Sequence, residues 1–404
     1  MIVEAADPKE YSEVYDVVDK AFIQSKLEST IIRVTTCEDP VFQEGDLRVA
    51  KADGKIVSMM MLIRRQLRIG AASVNGAIVA PVATHPDYQK KGYCSEVMRN
   101  AIRYMRIQGF DITILWGNPW LYPRYGYSPA MMKTEIVIKP EHIVSVENKS
   151  CEFRRFSEID LEQMARLYHS NTVTRACSEI RSPTMWEWKP GGTEVKLEVL
   201  SSKEHEVIGY LALGTDWGRP CIHEIGVLND EACKVIYRHI LEIMKAKGLK
   251  EFYCIVHPDH PFARFAFWRG GEIRIRSGGG AGMARVLNLA SFLTKMEKEF
   301  EYRLRHSEFH NRECTLKISS EEATVFLDNN RGRVTVSIEN SESDYQLDIP
   351  ISYLNPLVTG YRDIRELANK SDVKVNGGES AVRLLEILFP VGYPSGGFLP
   401  LVWE

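Results

Sequence analysis

The amino-acid sequence predicts an α+β protein made of two tandem units, each a mixed sheet flanked by helices, with a smaller third α+β unit behind them. Three observations predict it. A chain of 404 residues exceeds one ordinary core and suits two or three domains of roughly 100–200 residues. The order helix, strand hairpin, strand, helix, strand occurs twice in the first two thirds of the chain. Near Leu287 the composition changes to a charged helix followed by short polar strands. The expected units are 1–148, 149–286 and 287–404.

With 44% apolar and 26% charged residues, the chain is able to bury sizeable cores. A net charge of −3, from 51 basic and 54 acidic side chains, excludes a global pull towards nucleic acid or a membrane surface. The cysteines at 37, 94, 151, 177, 221, 233, 254 and 314 form no CxxC pair, which argues against a zinc ribbon or a disulfide framework. Free thiols in a reducing cytoplasm are expected. The opening "MIVEAADPKEYSEVYDVV" is acidic where a signal peptide is basic, and no run of about 18 apolar residues occurs. A soluble, cytoplasmic protein follows as the expectation.

In the first unit, "PKEYSEVYDVVDKAFI" has helical spacing, and "LRVAKADGKIVSMMMLIRRQLRIG" alternates as strands around a hairpin turn at Asp53-Gly54. "FDITILWGN" and "MKTEIVIKP" are further strands. The second unit runs from the helix "EFRRFSEIDLEQMARLYHSN" through strands "VKLEVLSS", "VIGYLALG" and "CIHEIGVL". The helix "DEACKVIYRHILEIMKAKG" and the strand "EFYCIVHPD" complete it. In the third, "VLNLASFLTKMEKEFEYRL" is a helix, "CTLKISSEEATVFLDNNRGRVTVSIEN" a set of short strands, and "SAVRLLEILFP" an apolar helix that ordinary core packing explains.

The chemistry concentrates in "VATHPDYQKKGYCSEVMRNAIRYM", Val82 to Met105. A strand ends at Thr84 and a helix resumes after Gly92, so the first N–H groups of that helix lack partners and point one way. Gly92 allows close approach to the backbone, and Lys90 and Lys91 add positive charge at the same mouth, which suits a diphosphate. Read from the residues alone, the same turn also fits an ordinary surface turn. No GxxxxGK[ST] occurs, and "SGGGAG" at 277–282 fails to complete GxGxxG because Met283 stands in the last place. "HPDH" at His257 to His260 reads as a proline turn rather than a metal pair. In "CIHEIG" strand alternation places Cys221 and His223 on one face and Glu224 on the other.

Gln89-x-x-Gly92-x-Cys94 resembles the acetyl-CoA signature of the GNAT acetyltransferases, with Cys94 in place of the usual small last residue. The resemblance implies that Val82, Ala83 and Thr84 pair with the pantetheine arm. It assigns the pyrophosphate to the amides of Lys90, Lys91, Gly92, Tyr93, Cys94 and Ser95, with Gly117 and Asn118 at the next strand end. "LYPRYGY" is similar to the superfamily's tyrosine–glycine motif, which implies Tyr122 as proton donor to the departing thiolate. With a second unit whose matching junction carries Asn229-Asp230-Glu231, acids that would repel a diphosphate, the whole chain resembles the enhanced intracellular survival family. That likeness implies two GNAT-type domains and a sterol-carrier-protein-like third. It further implies hexamers, amine acceptors including aminoglycosides, no metal, and a terminal carboxylate, here that of Glu404, as base. A non-enzymatic lipid- or CoA-binding module and a protein-lysine acetyltransferase are the alternatives.

Overall fold

Strand pairing decides the architecture. The computed structural model describes residues 1–23, 26–141, 151–173, 175–181, 195–216, 218–276, 282–339 and 341–395. In chain order the strands are β1 Ile2–Ala5, β2 Leu47–Ala52, β3 Lys55–Ile69, β4 Ala72–Thr84, β5 Ile112–Trp116, β6 Ser128–Pro129 and β7 Lys133–Ile138. β8 Cys151–Arg155, β9 Lys196–Ser202, β10 Val207–Asp216, β11 Arg219–Val227, β12 Phe252–Cys254, β13 Glu272–Arg276 and β14 Gly282–Val286 follow. Then come β15 Glu313–Ser319, β16 Thr324–Asn330, β17 Arg333–Ser337, β18 Tyr345–Asp348 and β19 Lys374–Asn376. They form three sheets, ordered β1-β2-β3-β4-β5-β14-β6, β13-β7-β12-β11-β10-β9-β8 and β17-β16-β15-β18-β19.

The first sheet is buried on both faces, which explains the unbroken apolar run "IVSMMMLI" in β3. Met59, Met61 and Ile63 join the core that holds α1 (Tyr11–Ala21) and α2 (Leu27–Glu38). Met60 and Leu62 face the other way, onto Val97, Met98, Ala101 and Met105 of α3 (Tyr93–Ile107). The expected hairpin is present: Asp53 (φ 51°) and Gly54 (φ 77°) both take positive φ, as a two-residue hairpin turn requires. α2 has no counterpart in the sequence reading. Its run Ile31, Ile32, Val34, Thr35, Thr36 is β-branched, and burial of Ile31, Ile32 and Val34 in the core overrides that preference.

The second sheet carries α4 (Leu161–Thr172), α5 (Asp230–Lys247) and α6 (Pro261–Phe267); α7 (Leu289–Lys295), α8 (Glu297–Leu304) and α11 (Gly378–Leu388) pack on the third sheet, α9 (Ile351–Val358) packs on β6 and β14 of the first, and α10 (Ile364–Leu367) lies beside α11. The sheets do not part where the sequence divides at 148/149 and 286/287. β7 crosses into the second sheet, between β12 and β13 (Val137 opposite Tyr253 and Glu272). β14 crosses into the first, with Ala284 opposite Ile114 of β5. Alternation makes both segments strands, but which sheet accepts them depends on partners far away in the chain. Among the described residues, no helix is long and apolar enough to cross a membrane.

Candidate active site

The site begins where β4 and β5 separate. They pair in parallel only at Gly76–Ile78 opposite Ile112–Ile114. Against β3, the partners step from Met60–Val82 to Leu62–Val79, so β4 carries one extra residue that bends it away. Pro81 lies in this stretch and has no N–H to offer a neighbouring strand. The result is a wedge between the two strand ends, with α3 beginning at its mouth.

Gly92 is the N-cap of α3 at φ 88°, and Lys90 two residues before it is also left-handed, at φ 61°. Such a turn directs successive amides to one side. A Cβ built on Gly92 meets nothing within 4 Å, so the backbone conformation, rather than packing, calls for glycine there. Lys91 departs from the expectation. Its ammonium donates to Asp87 O at 2.8 Å and stands over the Tyr88 ring, so its charge is anchored on the loop. Thr84 Oγ1 lies 2.8 Å from Ser58 Oγ, whose hydroxyl donates to Ala83 O. Thr84 also lies beside the thiol of Cys94, which burial pushes above its ordinary pKa.

Tyr122 opens a 3₁₀ turn, Tyr122–Tyr125, closed by Gly126 at φ 77°. Its ring lies against Gly117: a Cβ there would sit 2.6 Å from Cε2 and 3.4 Å from the hydroxyl. Asn118 shapes the approach, its side-chain oxygen accepting from Trp120 N and its carbonyl from Leu121 N. Tyr122 is 8% exposed. Burial, and secondarily Cys94, push its phenol up to about 12, so it keeps its proton at neutral pH. Tyr125 OH donates to Ser95 Oγ at 2.8 Å, tying this turn to the first turn of α3.

The third unit braces the same turn, which the sequence reading missed. Asn355, fully buried in α9, donates to Gly126 O (2.9 Å) and Ser128 Oγ (3.1 Å) and accepts from Val286 N. The signal was one amide in the apolar run "ISYLNPLV". Arg285 adds bonds to Tyr125 O and to Glu322.

On the far side of the wedge lies a cavity of about 430 Å³, walled by Val79, Ala80 and Trp116 of the first sheet and by residues of the second unit. His223 and Glu224 both line it, against the alternation expected. Ala212 faces Glu224 but Leu213 faces Ile222, so His223 is the extra residue of a bulge and both side chains turn inward. Cys221, 3.2 Å from His223 Nε2, is pushed to about 12 by burial and is inert. "HPDH" is a turn, as expected, yet His257 and His260 are buried on the cavity wall. Among the described residues no group of three or more His, Cys, Asp or Glu could hold a metal. The chain returns here: Pro394 O accepts from Met132 N, Ser395 N donates to Ala176 O, and Ser395 lines the cavity. Glu404 lies outside the described residues. At the matching junction of the second unit, Asn229 Oδ1 caps α5 through Ala232 N, with Asp230 and Glu231 in the first turn. Its own side chains occupy that helix end.

Residues 3–130 match the acetyltransferase (GNAT) domain family. Over 123 residues, 30% of this chain and 67% of the relative, the sequence is 28% identical to the uncharacterized N-acetyltransferase YjhQ of Escherichia coli. Similar solved structures extend over nearly the whole chain. A probable N-acyltransferase of unknown function from Enterococcus faecalis superposes with a TM-score of 0.76 at 18% identity, covering 97% of both chains. A GCN5-related N-acetyltransferase from Anabaena variabilis gives 0.76 at 16%, over 97% of this chain and 98% of that one. Eis1 of Mycobacterium abscessus gives 0.69 at 14%, over 98% and 100%. At these identities the structures establish the fold. The splayed sheet and the family match define the class, an acetyltransferase of GNAT type, whose members use acetyl-CoA. The chain is an enzyme of that class, with its acetyltransferase domain at residues 3–130.

Proposed function

We propose that the protein moves the acetyl group of acetyl-CoA to an amine by direct attack, the amine entering from the cavity side of the wedge. The observation that carries this reading is the buried Tyr122 beside Cys94 of α3 and against Gly117, one residue along from Trp116 on the cavity wall. Acetyl-CoA supplies an acyl carbon already activated as a thioester. The amides of Lys90 to Ser95 hold its diphosphate at the positive end of α3, the backbone of Val82, Ala83 and Thr84 lines its arm, and Gly117 and Asn118 close the other side. Tyr122 donates its O–H to the departing sulfur. A phenol near 12 is a weaker acid than a thiol near 8.5, so it stabilises the developing negative charge chiefly as a hydrogen-bond donor.

The attacking amine must be neutral, and its proton leaves through water. We assign the accepting carboxylate to Glu404, on the family resemblance and on the return of the chain to the cavity wall at Ser395. The third unit, read as sterol-carrier-protein-like, serves as the brace of the Tyr122 turn. Replacing Tyr122 by Phe keeps the ring and removes the donor. Turnover should fall on the order of 10²-fold while CoA affinity, measured by calorimetry, stays within error. Undiminished turnover would remove Tyr122 from the chemistry.

A further inference from the structure

The second-unit wall of the cavity presents a lone pair. His257 is 8% exposed and lines the cavity together with Ala80 and Trp116. Its Nδ1 lies 3.4 Å from Thr134 Oγ1, and that hydroxyl already gives its hydrogen to Val256 O at 3.0 Å. Nδ1 must therefore be the donor of the pair, which leaves Nε2 of the neutral ring as an acceptor. Nε2 has no hydrogen-bond partner among the described residues and, unlike Nε2 of His260, is not sealed from solvent. The space it opens on is the cavity.

Polar neighbours on this wall are already matched. Asp216 is held by Lys133 (3.1 Å) and Arg219 (2.7 Å), and Glu224 by Arg181 (2.8 Å) and Tyr210 (2.9 Å). Asn171 engages Val227 through both ends of its amide, at 2.8 and 3.1 Å. What His257 lacks is a donor, and three kinds are available in principle. A carbonyl or carboxylate has no hydrogen to give. An ammonium has, but Arg175, although paired with Asp259 at 3.2 Å, still bears on His257 as a positive charge, second to burial in holding its basicity well below the ordinary histidine value. A second cation is disfavoured there. A hydroxyl donates and is neutral. Between His257 and the first sheet the wall is largely apolar, with Ile31, Ile225 and Val256 among its residues. A sphere of 430 Å³ is about 9 Å across, a distance that an extended spacer of about five carbons, or one aromatic ring with a short arm, would fill.

We infer that the acceptor is an amino alcohol, an amine with a hydroxyl at the opposite end of an apolar spacer, whose hydroxyl donates to Nε2 of His257 while its amine lies at the Trp116 end. This rests on the acetyl-transfer reading above. In the reaction, the N–C bond to the acetyl carbon forms as the C–S bond breaks, the amine loses one proton and the sulfur gains one. The hydroxyl is untouched.

The test compares two matched pairs as acetyl acceptors, tyramine with phenethylamine and aminopentanol with pentylamine. In at least one pair the hydroxyl compound should lead about tenfold in kcat/KM, chiefly through KM. The para-methoxy analogue of tyramine keeps the oxygen without its hydrogen and should do no better than phenethylamine. His257→Phe removes the lone pair and should erase the hydroxyl advantage, leaving CoA affinity and the use of phenethylamine and pentylamine unchanged. His257→Gln keeps an N–H for Thr134, returns an acceptor oxygen, and should restore part of the advantage. If the Phe variant does not fold, imidazole nitrogen NMR of the CoA-loaded parent decides: the Nε2 resonance that His257→Gln lacks should move with the leading hydroxyl compound and stay in place with its partner. No lead in either pair, a methoxy compound that matches tyramine as the leading acceptor, a lead that survives His257→Phe, or equal damage to all compounds overturns the inference. If CoA binds but no amine is acetylated, the acetyl-transfer reading falls. Calorimetry on the CoA-loaded protein then decides the inference separately, and tyramine and aminopentanol binding no tighter than phenethylamine and pentylamine overturns it.

Discussion

Tyr122 owes its properties to the residues around its ring. Burial holds the phenol near 12, so an acid role predicts no loss of rate from this group between about pH 7 and 10. The protonated form is lost only as pH rises through the raised value, and an alkaline limb centred near 10, where free tyrosine titrates, would contradict the assigned surroundings. Gly117 holds the ring by having no side chain. In Gly117→Ala the new Cβ would meet Cε2 at 2.6 Å, and a displacement of about an ångström costs on the order of 10²-fold in rate. We expect turnover to drop at least about tenfold with the protein still folded by circular dichroism. Gly92 and Tyr122 were legible because a few neighbouring residues state their requirements. His257 and Asn355 were not, since their partners Thr134 and Gly126 lie 123 and 229 positions away.

Helix starts tell the two units apart. α3 begins at a glycine with its amides unanswered by any cap side chain, whereas α5 is capped by Asn229 and carries acids in its first turn. Gly92→Glu places a charged side chain at φ 88°, a conformation costing non-glycine residues about 1–2 kcal/mol, at the spot assigned to a diphosphate. CoA affinity should weaken about 10²-fold or more by calorimetry. Asn229→Ala should cost about 1 kcal/mol of stability in a denaturant titration and leave CoA affinity unchanged. Comparable loss of CoA in both variants would mean that the second helix also binds it. At this scale the sequence showed the hairpin, α3 and α5 through turn residues and period. It concealed α2, whose β-branched residues become helical only under burial, and the β4 bulge, which exists only relative to β3.

The exchange of β7 and β14 ties the first two sheets into one object. A fragment ending at 148 would leave β5 an open edge where β14 belongs, with β7 unpartnered, and a fragment of 149–286 would carry β14 without its sheet. Neither fragment should give the dispersed amide NMR spectrum of a folded unit, and in the intact chain the two sheets should unfold in a single transition. A folded 1–148 fragment that binds CoA would refute this coupling. By itself the sequence determined the α+β class, most of the elements, the glycine turn at α3 and the tyrosine motif, because period, turn chemistry and capping act over a few residues. Only the tertiary structure decided which sheet each of β7 and β14 joins, that the third unit grips the Tyr122 turn through Asn355, and that His257 and Trp116 line one cavity. Strand pairing and cavity walls are contacts between distant segments, and no local pattern in the chain names the partner.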